Sequence, residues 1–443
     1  MDAQYAALIE EVTPMVVDAV FSVEQEGLME PLELDAVVRD VLRKLGASVM
    51  GSVLETLSTE VTEQASWRDE TLTVQHRHRI TVETVFGPVK VASPYLWSAG
   101  LSARPVHEAL GLRHGQRSRA VERALTDFGA EESFGQAAVR FEEHYGFAVG
   151  RTNILRLVEH HASRAEAFVA ARLQERSAAF EQPEAARPSV PEVLVELDGC
   201  EIRTGTLVPA DTDDKTAVRG QPKRRRVEEW REVRVGLARR LDEVERTYVA
   251  RMDGYPAVVH QLFRAAVDRG LGSHTTTVAV ADGGNGLREE LAAQMPNLRF
   301  IYDRPHLEEH LHEAGEAMGL GDGPRLQWVK VVLHTIDAGS CDLVLAHLSA
   351  YRGRGRKRVR QLHKHLGRLV DAVHYDAYRE RGWPIGSGEV ESAHRYIPQK
   401  RLKLPGASWK PSTINPMLAL RVVRANGWWG DFWNQQPPLS VAA

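Results

Sequence analysis

Apolar positions recur at helical spacing through IEEVTPMVVDAVFSVEQEGL and again through LDAVVRDVLRKLGASVMGSVLETL, which predicts helices over residues 1 to about 66. Helices of this kind suit a bundle or a dimerising arm. From Glu70 the period changes to two in LTVQHRHRITVETVFGPVKVASPYLW, and Phe86-Gly87-Pro88 interrupts it, so this stretch reads as a β-hairpin. SFGQAAVRFEEHYGFAVGRTNILRLVEHHASRAEAF then predicts a helix, a turn over Gly146 to Gly150, and a second helix opening with Arg151 and Thr152. That layout suits a helix-turn-helix whose second helix presents Arg151, Asn153 and Arg156 to a DNA major groove, although two helices joined by a glycine turn also serve plain packing. Three prolines in FEQPEAARPSVPEV stop the helical run and mark a domain boundary.

Beyond the boundary, VLVELDGCEIRTGTLV gives two alternating apolar runs and EEWREVRVGLARR a third, followed by a helix in YPAVVHQLFRAAVDRGL. TTTVAVADGG and LRFIYDRPH read as short buried strands, each followed by a helical segment. Three early strands and then two strand-helix units predict an α/β fold: an RNase H-like mixed sheet in which the first and fourth strands are parallel neighbours. From about Leu326 to Arg379 the pattern is helical without a strand signal, as expected of an α-helical insertion. The chain returns through Gly382 to a glycine-punctuated helix start, WPIGSGEVESAHRYI, and a Trp-rich end. The predicted domains are therefore a helical N-terminal or oligomerisation region (1–69), a hairpin and helix-turn-helix DNA-binding region (70–181), a first part of the catalytic core (190–320), a helical insertion (321–380), and the core's C-terminal helix and tail (381–443).

Composition narrows the chemistry. In 443 residues the apolar and charged shares, 43% and 26%, are ordinary for a globular protein. No apolar run approaches the roughly 20 residues needed to cross a bilayer. The acidic opening MDAQYAALIEEVTP lacks a signal peptide's apolar region, so a cytoplasmic location is expected. Cys200 and Cys341 are the only cysteines, which excludes a disulfide framework and a cysteine-rich zinc site and leaves any metal to carboxylates and histidines. The net charge of -4 conceals basic clusters at Lys223 to Arg226, Arg352 to Arg368 and Arg395 to Lys410. Lys223, Arg224, Arg225, Arg395, Lys400, Arg401 and Lys403 are candidate DNA-backbone contacts, and Trp409 a candidate for stacking on an unpaired base. Solvated helix faces account for the same clusters equally well. Core packing suits Trp428, Trp429 and Trp433, and the GGNG after Asp282 lacks a nucleotide-binding pattern.

Asp198 ends VLVEL and Asp282 ends TTVAVA, each followed by glycine. On parallel neighbours both carboxylates emerge at the carboxyl edge of the sheet, where open α/β sheets do their chemistry. Phosphodiester transfer needs such a cluster, because two Mg2+ ions about 3.5–4 Å apart activate the attacking oxygen and stabilise the leaving one, and hard cations demand oxygen ligands. A third carboxylate is required. Glu389 and Glu391 both qualify, but two residues apart on a helix they diverge by about 200°, so only one can face the aspartates, and spacing does not choose between them.

VELDGCEIR, EEWREVRVG, VAVADGGNG, FIYDRPHLEEHL and PIGSGEVESAHRYIPQKRLKLPGASW, followed by MLALRVVRANGWWGDFW, make the chain resemble bacterial insertion-sequence transposases of the ISKra type, relatives of the Mutator-like DDE transposases. The resemblance runs from Glu70 through most of the chain. It implies a metal-dependent transposase that cleaves transposon ends and joins their 3'-OH to target DNA. The implied catalytic and metal-binding triad is Asp198, Asp282 and Glu391, with two Mg2+ ions that Mn2+ can replace, and with Asp303 and His306 as accessory residues that position a phosphate or water. Double-stranded DNA and a homo-oligomeric synaptic complex are the implied partners, in a prokaryotic, nucleoid-associated setting. Relatives often carry a CxxC-type zinc element after the hairpin, where this chain reads SPYLWSAGLSARPV, leaving the hairpin to be held by apolar packing, with Tyr95 and Trp97 as candidates. Two other readings use the same residues: an RNase H-like nuclease without strand transfer, and a non-catalytic DNA-binding protein derived from a transposase.

Overall fold

The computed structural model describes residues 31–98, 100–112, 116–178, 189–209 and 224–435, with isolated positions between 9 and 21. The first predicted helical stretch and Lys223 lie essentially outside these residues. The chain divides into two compact units, 1–158 and 159–443.

In the first unit the second helical stretch is one long helix, α1 (Pro31–Arg68), followed by β1 (Thr73–Thr84) and β2 (Gly87–Ser98). These strands pair antiparallel from Thr73↔Trp97 to Thr84↔Gly87, the hairpin expected around Phe86. A short β3 (Leu101–Ala103) adds to β2. Leu54 of α1 packs with Ile80, Val82, Val89 and Val91 of the hairpin and with Val106 and Leu112 beyond it. This aliphatic layer holds the hairpin. Trp97 instead is 45% exposed, because the alternation that turns Leu96 inward turns its neighbour out.

After α2 (Pro105–Leu110) come α3 (Arg119–Glu131) and α4 (Phe134–Tyr145), whose Ser118 and Ser133 accept from the Val121 and Gln136 amides as N-caps. Gly146, at φ 72°, ends α4 in the left-handed conformation that glycine adopts without strain. The next helix, α5 (Arg151–Ser177), starts five residues later. Arg151, Asn153 and Arg156 lie on its first turns, all three exposed, while Ile154 and Val158 are buried. The C-terminal part of α5 belongs to the second unit. There Phe168 meets Trp428 and Phe432, and Arg172 pairs with Asp431.

The second unit is built on a mixed sheet of β4 (Glu192–Pro209), β5 (Arg224–Arg240), β6 (Thr247–Arg251), β7 (Thr276–Ala281) and β8 (Leu298–Tyr302). Their order is β6-β5-β4-β7-β8, with β4, β5 and β6 antiparallel and β4, β7 and β8 parallel. The first and fourth strands are thus adjacent and parallel. Two sequence expectations change. The two runs of VLVELDGCEIRTGTLV form one continuous strand, because β5 pairs with β4 without interruption from Val193↔Arg240 to Pro209↔Arg224. The third antiparallel strand is β6, which the apolar pattern does not separate from its surroundings. Asp198 therefore does not end a strand; it lies where the shorter β7 stops and β4 continues.

Helix α6 (Tyr255–Asp268) covers the Leu197 face of the sheet, with Leu262 3.2 Å from where a Cβ on Gly236 would stand. Between β7 and β8 runs α7 (Leu287–Gln294), and α8 (Arg304–Ala317) follows β8. The predicted insertion is helical: α9 (Asp322–Asp337), α10 (Cys341–Ala350), α11 (Arg356–Arg368), a 3-10 turn and α12 (Tyr375–Glu380). The chain then enters α13 (Gly388–His394), a π-helical segment (Arg395–Gln399) with a last turn, α14 (Lys400–Leu402), then α15 (Pro411–Ala425) and α16 (Trp429–Asn434). Trp428, Trp429 and Trp433 are buried. Among the described residues, no helix is long and apolar enough to cross a membrane.

Candidate functional site

Register brings three aspartates into a row. Leu197 pairs with Ala281 across β4 and β7, and Ala281 pairs with Tyr302 across β7 and β8. The next residues are Asp198, Asp282 and Asp303, on three neighbouring parallel strands at one edge. On β7 and β8 the apolar run anchors the strand in the core and the carboxylate marks its exit; on β4 the apolar run ends at Asp198 while the strand itself continues beside β5. The loop after Asp282 is fixed locally, since the Gly284 amide donates to Asp282 Oδ1 at 2.9 Å. Gly283 sits at φ +70°, and a Cβ there would come 2.6 Å from Leu369, so only glycine fits.

Asp303 is fully buried. Its Oδ2 accepts from the Ser387 amide (3.1 Å) and hydroxyl and lies 3.1 Å from His306 Nδ1, while Oδ1 has no partner among the described residues. Burial works to raise this carboxyl, but His306 and Ser387 hold it below the usual range. In return Asp303 raises His306 to about 9, against burial, with Asp198 and Asp282 adding to the rise. At neutral pH the histidine is thus an imidazolium among carboxylates. Burial raises Asp198; Asp282 and Asp303 add to this, whereas the Gly199 amide and His306 oppose it.

Helix α13 brings the glutamates. Ser387 and the 2.9 Å bond from the Arg304 amide to the Ile385 carbonyl pin the helix start beside β8. Glu389 points to one flank, where Arg239 donates at 2.9 and 2.8 Å and Arg246 also pairs with it. Burial would raise Glu389, but these two arginines hold it below the usual range. Glu391 points to the other flank, exposed, with a carboxylate oxygen within 4.8 Å of ligand atoms of Asp303 and His306. Among the described residues, Asp303, His306 and Glu391 are the group close enough to share a cation. Asp198 and Asp282, expected to ligate with Glu391, lie beside that group rather than in it: Asp282 turns to its own loop, and Asp198 Oδ2 lies 3.3 Å from His394 Nε2.

Three residues at this site were not among the sequence candidates. Glu196, two positions before Asp198 and therefore on the same strand face, is 1% exposed, and its Oε2 accepts from the Val390 amide at 2.8 Å. Burial raises it to about 8. A glutamate breaking the apolar run VLVEL was the available signal. Buried His394, lowered by burial to about 4, follows Glu391 by three residues, a helical spacing that puts both near the aspartates. Ser387 carried no signal, because its partner lies 84 residues away.

The basic candidates separate. Arg224, Arg225, Arg395, Lys400 and Lys403 are exposed; burial lowers His394 and raises Cys200, and the charge of nearby Lys403 pulls both downward. Arg401 is different. At 3% exposure it lies 4.7 Å over the Trp409 ring, and burial lowers it to about 10. Trp409 is tied to β4, its amide donating to the Arg203 carbonyl and its indole to the Leu402 carbonyl, both at 3.1 Å. This pair packs the end of the chain onto the sheet, with the Arg401 guanidinium buried and the Trp409 ring half-buried. No family model matches the chain, and no curated protein matches it.

Proposed function

We propose that this chain is a DDE-type transposase with an RNase H-like catalytic unit, cleaving transposon ends in double-stranded DNA and transferring the freed 3'-OH to target DNA within a homo-oligomer. The observation that carries the reading is the aspartate row at 198, 282 and 303, faced by Glu391 from a helix that enters after the insertion. The sheet order, with the first and fourth strands parallel neighbours, supports the RNase H-like assignment.

A divalent cation fits this donor set. Asp303 Oδ1 is buried and unpartnered among the described residues, and the set is dominated by carboxylate oxygens, as hard cations require. Asp303, His306 and Glu391 would hold one ion, and Asp198 and Asp282 flank a second position; Mg2+ is the expected ion, with Mn2+ as a substitute. Bound there, such ions activate the attacking oxygen and stabilise the leaving one. The protein's own residues orient the parts. Ser387 and Glu196 fix the start of α13 through Asp303 and the Val390 amide, setting the reach of Glu391. Arg239 and Arg246 hold Glu389 away, leaving a single glutamate at the row. His306, protonated beside Asp303 in the absence of metal, would give up its proton to ligate the ion.

Incubation with Mg2+ and DNA carrying the sequences that flank the gene tests the proposal. Cut ends plus joined products, both abolished by Asp198→Ala, are expected. Cutting without joining would point to a nuclease, and binding without cutting in either Mg2+ or Mn2+ to a DNA-binding protein alone.

A further inference from the structure

Helix α11 and helix α8 border a pocket of about 320 Å³ that opens beside the loop following Asp282. Asn285 of that loop, His310 of α8, and Arg358, Lys364, His365 and Arg368 of α11 line it. No carboxylate is among the lining residues. Glu313 balances part of the charge, pairing with Arg358 and lying 3.1 Å from His310 Nδ1. Arg368 donates to Asn285 Oδ1, a neutral acceptor that does not compensate its charge, and so ties the insertion to the loop behind Asp282.

The histidines point to what is missing. Burial, with His310 and Arg368 adding, lowers His365 to about 4, and the Arg368 guanidinium lies 3.2 Å from His365 Nδ1. A guanidinium can only donate, so Nδ1 accepts and the ring proton sits on Nε2. That Nε2 is buried with no partner among the described residues, and a buried donor left without an acceptor costs about 1–3 kcal/mol. Burial likewise lowers His310, with Arg358 adding to the effect. The unpartnered His365 Nε2 donor, set between two guanidinium forks and a lysine, matches the oxygens of a phosphate, which arginine recognises with paired hydrogen bonds. The site is also electrostatically continuous with the aspartate row, since Asp282 acts on both His310 and His365.

We propose that this pocket binds a backbone phosphate of the DNA strand next to the one at the carboxylates, so that the insertion clamps the strand across the Asp282 loop. The inference rests on the transposase reading above and adds a binding site to it. Neutralising one phosphate lowers the slope of log affinity against log salt by about 0.9.

Fluorescence anisotropy with a labelled DNA duplex, without metal and over a range of salt, tests this on wild type, Lys364→Gln/Arg368→Gln and Arg368→Lys. The double variant should bind about tenfold more weakly near physiological salt, with a slope lower by about 0.9, as expected for the loss of one phosphate contact. Arg368→Lys should recover most of the slope. An unchanged slope in a folded double variant, whether or not affinity falls, overturns the pocket and leaves the transposase reading standing. Wild type that binds no duplex even at low salt removes the transposase reading, and the pocket with it.

Discussion

The two flanks of α13 carry glutamates two residues apart and use them in opposite ways. On one flank Glu389 is neutralised by Arg239 and Arg246, a charge that joins helix to sheet. On the other, Glu391 faces Asp303 and His306, with no arginine pairing with it among the described residues, beside two further aspartates. A fold gains stability by pairing charges. Leaving carboxylates crowded at one edge costs stability, and the arrangement makes sense if a cation and a phosphate complete it. The difference separates a glutamate paired within the fold from one that faces the aspartate row, where sequence spacing could not.

The largest effect expected from that difference is on catalysis. Glu391→Gln should lower DNA cleavage about 10²- to 10³-fold, the cost of one preorganised electrostatic group, with an unchanged melting temperature. Glu389→Gln should leave most of the cleavage rate of the folded protein intact. Gel-based cleavage kinetics read both.

Next comes Glu196, beneath the same helix. Its folded value of about 8 exceeds the ordinary 4.5, so the folded state binds more protons across that window and stability falls as pH rises from about 4.5 to 8. Glu196→Gln keeps an acceptor for the Val390 amide and removes the ionisation. Melting curves should show the variant gaining over wild type at pH 8 by up to several kcal/mol, at about 1.4 kcal/mol for each tenfold change in proton affinity, and gaining nothing at pH 4. An equal gain at both pH values would mean that Glu196 ionises normally.

Smaller losses belong to the paired flank. Arg239→Gln should destabilise by about 2 kcal/mol, since it breaks a charge-assisted contact at a side chain only 13% exposed. Arg246→Gln should cost under about 1 kcal/mol, its side chain being 31% exposed and its charge better screened. Urea denaturation ranks the two, and the reverse order would contradict the geometry.

How much of this was legible in the sequence follows from the range of the interactions. Asp198, Asp282 and the strand before Asp303 were readable because an apolar run ending in a charge is a local pattern, and the hairpin at Phe86 and the helical insertion were readable for the same reason. The continuity of β4 through Asp198 was not. It depends on pairing with β5, beyond a stretch of residues that separates the two strands. Nor could local pattern show that Arg239 would claim Glu389 from 150 residues away, or that Arg401 would be buried over Trp409. The basic cluster of the insertion read as one charged surface. Folded, its arginines divide by helical position, and Arg358 and Arg368 reach the Asp282 loop side of α11.

The most direct measurement is Mn2+ binding followed by electron paramagnetic resonance in wild type, Glu389→Gln and Glu391→Gln. The account predicts that wild type and Glu389→Gln bind Mn2+ alike and that Glu391→Gln binds at least about tenfold more weakly, the effect of losing about 1.4 kcal/mol from a ligand set. Undiminished binding by Glu391→Gln, with loss in Glu389→Gln, would contradict it.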